Sequence, residues 1–336
     1  MEQRSIMSLG RSSLVISLPK HWVKLNELKS GDAVSVAVQR DRSLVVFPGV
    51  KSKESTKEIT LHVDPNEKKV FIVRKIIACY LNGYSNIKLV SKKIFSVAQQ
   101  KAIRDIARQL YMRIMEVSTK KIHIVTLIDE LKAQIISGIQ RIHIIAKSML
   151  QDALNALKNQ DEMLARAVYS LDDDVDHFSF FLIRLLRSAA LDTALANKLD
   201  LKPIEGLDYQ NLVQRIEYVA DEASNIARHV IMLSQRQQKL SDSLLELMLI
   251  AGNYTLSSYE KAMEAFFSKD VASSNETIER EKRSTQLEKR LASLTFLTKE
   301  MAPMTVCAVC SIRESIKEIA EDAKDIAEIT INRSYS

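Results

Sequence analysis

The spacing of apolar residues divides the chain into three kinds of segment. Residues 5–47 alternate apolar and polar positions with a period near two, most strictly at 33–38, and this predicts a few short strands. Residues 58–127 mix that period with a helical one, which predicts a small α/β module. Its expected elements are strands at 59–63, 87–90 and 122–125 and helices at 69–82 and 97–112. From residue 128 to 333 the period is helical.

Six long helices are predicted in this last part, in two sets of three. The expected helices cover 130–158, 161–190, 208–234, 239–267, 271–300 and 304–333. A polar break at 200–206 separates the second from the third, and Pro303 fits the first turn of the last helix. The two sets also resemble each other at an offset of 100 residues. Identical apolar residues recur at positions 216 and 316, 220 and 320, 223 and 323, 226 and 326, and 227 and 327, which indicates a duplicated unit.

These patterns predict a mainly α protein with a small N-terminal β part. We expect a β module at 1–50, the α/β module at 58–127, and two tandem three-helix bundles at 128–235 and 236–336. Some 45 residues of short strands can hardly close a hydrophobic core alone. The first module is therefore expected to dimerise.

The composition is that of an ordinary soluble protein, with 46% hydrophobic and 27% charged residues. No stretch approaches the roughly 20 apolar residues that span a bilayer, and the N-terminus has no signal-peptide pattern. Cys79, Cys307 and Cys310 do not make a disulfide framework, and the pair at 307 and 310 lacks the further ligands that a zinc site needs. We expect a cytoplasmic protein without membrane insertion.

The N-terminal segment carries a net positive charge almost equal to that of the whole chain. Residues 1–53 hold nine Lys or Arg and four Asp or Glu, a net charge of +5 out of +6 for the whole chain. A basic module on a near-neutral body suggests a polyanion partner such as nucleic acid. A surface that only improves solubility is the alternative.

The N-terminal module carries a specific motif. Residues 11–23 read RSSLVISLPKHWV, a strand followed by a Pro-Lys stop and a helical turn, and residues 28–32 read LKSGD before the next strand. Gly31 suits the tight turn because glycine accepts a positive φ. The motif resembles the AbrB-like swapped-hairpin family. The resemblance implies an interlocked homodimer whose basic residues bind DNA phosphates, and the residues expected to do so are Arg4, Arg11, Lys20, Lys24 and Lys29. A module that only dimerises is the alternative.

Two carboxylate pairs in the first predicted bundle point to a cation. Asp172 and Asp176 lie four residues apart and share one helix face, and Glu217 and Asp221 repeat this spacing. Like charges at this spacing repel, and a cation bound between two facing pairs would relieve the repulsion. Carboxylate oxygens suit Mg, Mn, Zn or Fe. A solvated acidic face is the alternative.

The same segments resemble a second family. Residues 167–176, AVYSLDDDVD, and 217–227, EYVADEASNIA, look like the two acidic motifs of the PhoU family, and the likeness extends over 130–333. With the AbrB-like motif, the whole chain resembles archaeal phosphate-uptake regulators. The resemblance implies two three-helix bundles, each able to hold a metal cluster, and a role in phosphate transport and signalling. Lys317 and Glu321 stand at the positions of Glu217 and Asp221, so we expect the metal cluster on the first bundle.

These features together predict a DNA-binding transcriptional regulator of phosphate uptake. Its body would sense phosphate status through a metal, a phosphate transporter subunit or another partner. No Gly-rich phosphate loop, nucleophile elbow or HExxH motif occurs, so we do not expect an enzyme. Two alternatives stay open. The chain could be an adaptor that regulates a phosphate ABC transporter by protein contact, with a module that only dimerises, or an architectural DNA-binding protein with an oligomerising body.

Overall fold

The computed structural model describes residues 2–10, 12–38, 42–49, 57–126, 134–297 and 302–335. The chain divides into two compact units, Met1–Ser55 and Thr56–Ser336. In the first unit, β1 (Met7–Leu9) pairs with β2 (Ser13–Val15) and β3 (Val34–Val38) pairs with β4 (Leu44–Pro48), both antiparallel. The helix α1 (Lys20–Leu25) lies between these hairpins in sequence. Gly31 has the expected positive φ, at 98°.

The first unit has no core of its own among its described residues, none of which is buried. Large apolar side chains lie exposed on its strands and helix or directly beside them: Ile6, Met7, Leu9, Leu14, Ile16, Leu25, Val36, Val38 and Leu44. This agrees with the expectation that so few strand residues cannot bury a core alone.

The second unit begins with an α/β module. Its elements are β5 (Glu58–Val63), α2 (Lys69–Leu81), β6 (Asn86–Ser91), α3 (Val97–Gln109), β7 (Met112–Val117) and β8 (Lys121–Thr126). The sheet has the order β5-β6-β8-β7, in which β5 and β6 are parallel and the other neighbours antiparallel. Alternate strand residues such as Ile87, Leu89 and Ile124 pack with Ile72 and Ile103 of the helices into a separate core.

Two expectations for this module need correction. The helix expected at 97–112 ends at Gln109, and the strand β7, which the apolar spacing does not predict, begins at Met112. Between them the chain reverses at Tyr111, whose φ is 51°. The apolar spacing continues through this reversal, and no Gly or Pro marks it.

The rest of the second unit is two three-helix bundles. The first contains α4 (Ile135–Asn159), α5 (Glu162–Leu191) and α7 (Pro203–Gln235), with a short α6 (Thr193–Lys198) between the last two. The second contains α8 (Asp242–Ser268), α9 (Val271–Leu297) and α10 (Pro303–Ser334). The break expected at 200–206 is therefore too long, because Pro203 already starts α7. None of the described helices is long and apolar enough to cross a membrane.

The internal repeat predicted from the sequence is visible in both packing and turns. All ten repeated apolar positions are buried. The first helix of each bundle ends at a left-handed residue, Gln160 or Lys269, followed by an aspartate that accepts a backbone N–H of the next helix. These local features make the two tight helical turns alike.

The two bundles pack against each other through α7 and α10 and through α4 and α8. Arg215 Nη2 lies 2.9 Å from Asp325 Oδ2, and Asn225 Nδ2 donates to Ser315 Oγ at 2.8 Å. The two pairs occupy equivalent positions of the repeat: position 215 corresponds to 315, and position 325 corresponds to 225. The repeats are therefore related by an approximate two-fold axis between α7 and α10, and they share one continuous core.

Candidate functional site

The basic residues expected to contact DNA are accessible in the first unit. Lys20 opens α1, Lys24 follows one turn later on the same face, and Lys29 precedes the Gly31 turn; all three are exposed. None of these lysines has an ion-pair partner among the described residues. Arg4 differs, because it pairs with Glu2 and donates to Ser17 Oγ at 3.1 Å. Arg11 lies outside the described residues.

The four carboxylates predicted to hold a metal come from two neighbouring helices. Asp172 and Asp176 lie on α5, and Glu217 and Asp221 lie on α7, which packs closely against α5. We call these four residues the acidic cluster. Electrostatic repulsion links members of one helix with members of the other, so the structure brings the two pairs together. None of the four makes an ion pair with a Lys or Arg of the described chain.

Burial and mutual repulsion raise the pKa of each carboxyl of the acidic cluster. Burial first, then repulsion from Asp172 and Asp221, raises the pKa of Asp176 to about 7. Burial and repulsion from Asp176 also raise the pKa of Glu217 to about 7, and the pKa of Asp221 rises to about 6 for similar reasons. The pKa of Asp172 is also raised, chiefly by burial. Carboxylates that resist ionisation in this way need either a proton or a cation to neutralise them.

The donor set fits a hard or borderline cation in its chemistry. It offers carboxylate oxygens only, and Asp172 Oδ1 is buried without a hydrogen-bond partner among the described residues. Within the same part of the chain, no three His, Cys, Asp or Glu side chains are arranged so that they could hold a metal ion as they stand. Ligation would therefore require changes of side-chain rotamer.

The corresponding positions of the second bundle carry their own cation. Lys317 Nζ lies 3.0 Å from Glu314, 3.4 Å from Glu318 and 3.5 Å from Glu321. Hydrogen bonding to Glu314 raises the pKa of Lys317 well above its usual value. Lys317 and Glu321 line a cavity of about 70 Å³ between the three helices, together with Glu281 and Thr285. An ammonium group thus forms ion pairs with the carboxylates here.

The α/β module reaches the acidic cluster through residues that sequence reasoning did not identify. Gln109 Nε2, at the end of α3, donates to Asp176 Oδ2 at 3.3 Å. Nearby, the ring of Tyr111 meets that of His177 edge-on, with centroids 5.4 Å apart. The cluster therefore lies where the module contacts the first bundle.

Arg184 of α5 fixes the same module to the bundle. The side chain is fully buried, and its guanidinium lies 4.7 Å from the centroid of the Tyr80 ring. It donates to four acceptors around the C-terminus of α2: Tyr80 O at 2.6 Å, Tyr84 O at 3.0 Å, Gly83 O at 3.3 Å and Ser85 Oγ at 3.1 Å. A cation at this end of a helix is also favoured by the helix dipole.

Comparisons with known proteins bear out the predicted resemblances. A family model described as the PhoU domain matches residues 139–230 and 248–330, one match in each bundle. A model described as "Antidote-toxin recognition MazE, bacterial antitoxin" matches residues 8–55. The archaeal origin implied by the sequence resemblance stays an expectation.

Solved structures that match part of this chain include two PhoU proteins. PhoU from Pseudomonas aeruginosa superposes with a TM-score of 0.53 and 21% sequence identity, over 59% of this chain and 93% of that one. The phosphate transport system regulatory protein PhoU from Streptococcus pneumoniae gives a TM-score of 0.49 and 16% identity, over 59% of this chain and 91% of that one. A search of curated proteins gave no match. The predicted fold, mainly helical with a small β part at the N-terminus, is confirmed.

Proposed function

The chain belongs to the PhoU domain family, and from that premise we propose that it is a DNA-binding transcriptional regulator of phosphate uptake. Its N-terminal unit binds DNA as a homodimer in the cytoplasm, and its helical body responds to phosphate status. The observation that carries the proposal is the combination, in one chain, of a PhoU body with a basic N-terminal unit of a different family.

Dimerisation and DNA binding are supported by the surface of the N-terminal unit. A second copy would cover the apolar side chains that a single unit leaves exposed on β1 to β4. Lys20, Lys24 and Lys29 are exposed and pair with no carboxylate among the described residues, so they could bind phosphates, and such contacts would supply much of the affinity. Arg4 could contribute only after releasing Glu2.

A metal on the first bundle is part of the same proposal. Asp172, Asp176, Glu217 and Asp221 would hold one or more divalent or trivalent ions such as Fe, Zn, Mn or Mg. The bound charge would neutralise carboxylates that burial and repulsion otherwise keep protonated. The second bundle has Lys317 in this place, so we propose no metal there.

The acidic cluster is placed to influence the α/β module. Asp176 Oδ2 accepts a hydrogen bond from Gln109, and metal ligation would change both the charge and the position of this carboxylate. A change in the charge of the cluster would thus alter a contact of the segment that follows the DNA-binding unit in sequence. We propose that this contact transmits the state of the body.

The test is DNA binding by the purified full chain, measured by fluorescence anisotropy over a salt series, with its own upstream region and with random DNA. We expect the Lys20→Gln/Lys24→Gln variant to bind more weakly at every salt concentration. In a plot of log affinity against log salt concentration, the slope of the variant should be less negative by about 0.9 for each phosphate that it no longer neutralises. The matched control is Lys158→Gln/Lys198→Gln, which removes two exposed charges from the body and should bind like wild type.

The outcomes separate the alternatives. Preference for the upstream DNA, weakened by the variant in α1 and not by its control, supports the regulator. Weak binding without sequence preference would favour the architectural protein. Absence of binding at physiological salt would sink the DNA-binding proposal and leave the transporter adaptor, in which the first unit only dimerises.

A further inference from the structure

The α/β module is far more basic than the helical bundles. Residues 57–126 contain 14 Lys or Arg and 5 Asp or Glu, a net charge of +9. Residues 127–336 contain 25 Lys or Arg and 32 Asp or Glu, a net charge of −7. The module therefore carries a positive field that neither the metal proposal nor the DNA-binding unit explains.

The sheet topology collects several chain segments at one end of the module. The C-termini of β5 and β6, the turn between β7 and β8, and the N-termini of α2 and α3 all lie there. Hydrogen bonds tie these segments together: Ser91 N donates to Lys120 O at 2.9 Å, and Phe95 N donates to Thr119 O at 3.0 Å. The buried Gln99 side chain joins the start of α3 to the loop before α2, through Glu67 O at 3.0 Å. These hydrogen bonds hold the segments at this end of the module in one defined surface.

Six exposed lysines occupy this end, which we call the lysine tip: Lys68, Lys69, Lys92, Lys93, Lys120 and Lys121. None of them makes an ion pair within the described parts of the chain, whereas Lys75 and Lys88 elsewhere in the module pair with Glu67 and Glu58. Large apolar side chains lie exposed among the lysines: Val70, Phe71, Ile94, Val97 and Val117. Val97 is 84% exposed and Ile94 is 62% exposed, so the tip is both cationic and apolar.

The opposite end of the module is the one fixed to the first bundle. Arg184 binds the carbonyls at the C-terminus of α2, and Gln109 at the C-terminus of α3 contacts Asp176. The lysine tip therefore points away from the acidic bundles. A module held at one end presents its other end to a partner without obstruction from the helices it is attached to.

We propose that the lysine tip docks on the surface of an anionic lipid bilayer, lying on the membrane without spanning it. The ammonium groups would sit among anionic headgroups, and the apolar side chains would enter the boundary between headgroups and acyl chains. An anionic bilayer would contact both the lysines and the exposed apolar side chains of the tip. A second copy of the chain does not fit, because a two-fold contact would bring two sets of these lysines together. DNA fits less well, since the tip has no Arg and its exposed Val and Ile side chains would stay in water.

The experiment is co-sedimentation of the full chain with vesicles of equal parts phosphatidylcholine and phosphatidylglycerol, beside vesicles of phosphatidylcholine alone. We expect binding to the anionic vesicles. Lys92→Gln/Lys93→Gln should weaken it by about 25-fold, because each lysine near an anionic surface contributes about fivefold in affinity. The matched control, Arg108→Gln/Arg113→Gln, removes the same charge away from the tip and should bind like wild type.

A second variant separates the apolar contribution. Ile94→Ser/Val97→Ser keeps every charge, and we expect it to lose the part of the binding that resists high salt. Equal binding to both kinds of vesicle, no binding to either, or equal loss in the control variant would overturn the proposal. If Lys92→Gln/Lys93→Gln instead flattens the salt dependence of DNA binding and leaves vesicle binding unchanged, the tip is a nucleic-acid surface. Because the lysines of α1 are untouched, failure here leaves the DNA-binding proposal intact.

Discussion

Removal of the buried guanidinium of Arg184 is expected to detach the α/β module from the first bundle. We consider Arg184→Met, which keeps much of the length of the side chain and leaves it apolar. The substitution removes four hydrogen bonds and leaves the carbonyls of Tyr80, Gly83 and Tyr84 without that donor in a buried interface. It also removes the positive charge at the C-terminus of α2.

The magnitude follows from these contacts. A hydrogen bond from a charged donor contributes about 1.5–3 kcal/mol, and four together would exceed the usual range of single-residue effects if they were additive. Water reaches the carbonyls once the interface opens, which limits the cost to about 3–5 kcal/mol. Arg187 is the matched control. It is exposed and donates to Leu81 O at 3.1 Å and to Asn82 Oδ1 at 2.9 Å, so Arg187→Met should cost no more than about 1 kcal/mol.

Hydrogen exchange measures the difference directly. The amides of Gly83 and Tyr84 donate within the turn that Arg184 closes, at 3.0 Å and 3.1 Å. In Arg184→Met these amides should exchange at least about 30-fold faster than in Arg187→Met, which corresponds to about 2 kcal/mol. Amides in the middle of α8 should be unaffected in both variants. Equal exchange of the turn amides in the two variants would refute the idea that Arg184 anchors the module.

Three further predictions concern the bundles. The pKa values of the acidic cluster are raised in the metal-free folded state. Between about pH 4 and 7 the unfolded chain therefore binds fewer protons than the folded chain, and the free energy of unfolding falls as pH rises through this window. Glu217→Gln removes one of these carboxyls. In urea unfolding at several pH values, its free energy of unfolding should rise relative to that of wild type as pH rises, by on the order of 1 kcal/mol. Added Mn²⁺ should raise the Tm of wild type and not of Glu217→Gln, since a ligand of the folded state stabilises by about 2.7 kcal/mol at 100 times its Kd. Gly252→Ala should lower the Tm, because the added Cβ would lie 2.4 Å from Leu154 Cδ2. The Cβ added by Gly206→Ala would have no neighbour closer than 3.6 Å, so this variant should stabilise α7 by up to about 1 kcal/mol.

Helix ends that are marked by a local residue type were predictable from the sequence. Ends of helices and strands that depend on tertiary contacts were not. Asn82 and Gly83 predict the end of α2 to within one residue of its observed end, and Pro303 predicts the start of α10. The reversal at Tyr111 was not predictable, because a left-handed tyrosine has no signature in sequence. Packing of β7 against β8 selects that conformation, and such long-range pairing is invisible to a local pattern.

The candidate site shows the same division. Repeated i, i+4 spacing predicted that Asp172, Asp176, Glu217 and Asp221 gather on facing helices, and the electrostatic coupling between the helices agrees with this. The contact of Gln109 spans 67 residues of sequence and follows no period. Arg184 could have been noticed as a charge inside an apolar run, because buried arginines need partners, but the identity of those partners could not.

The two bundles differ in whether a cation of the chain stands beside their carboxylates. Duplication preserved the apolar positions of the scaffold, so both bundles fold alike, while the polar positions diverged. In the second bundle Lys317 pairs with Glu314, Glu318 and Glu321, an ion-pair partner that the acidic cluster lacks among the described residues. In the first bundle neutralisation must come from protons or a cation, so its charge depends on conditions. A group whose charge varies with conditions can report a change, and Gln109 contacts one member of the acidic cluster. In the proposed function the first bundle is therefore the half that responds, and it lies against the α/β module. The second bundle packs on α7 through α10.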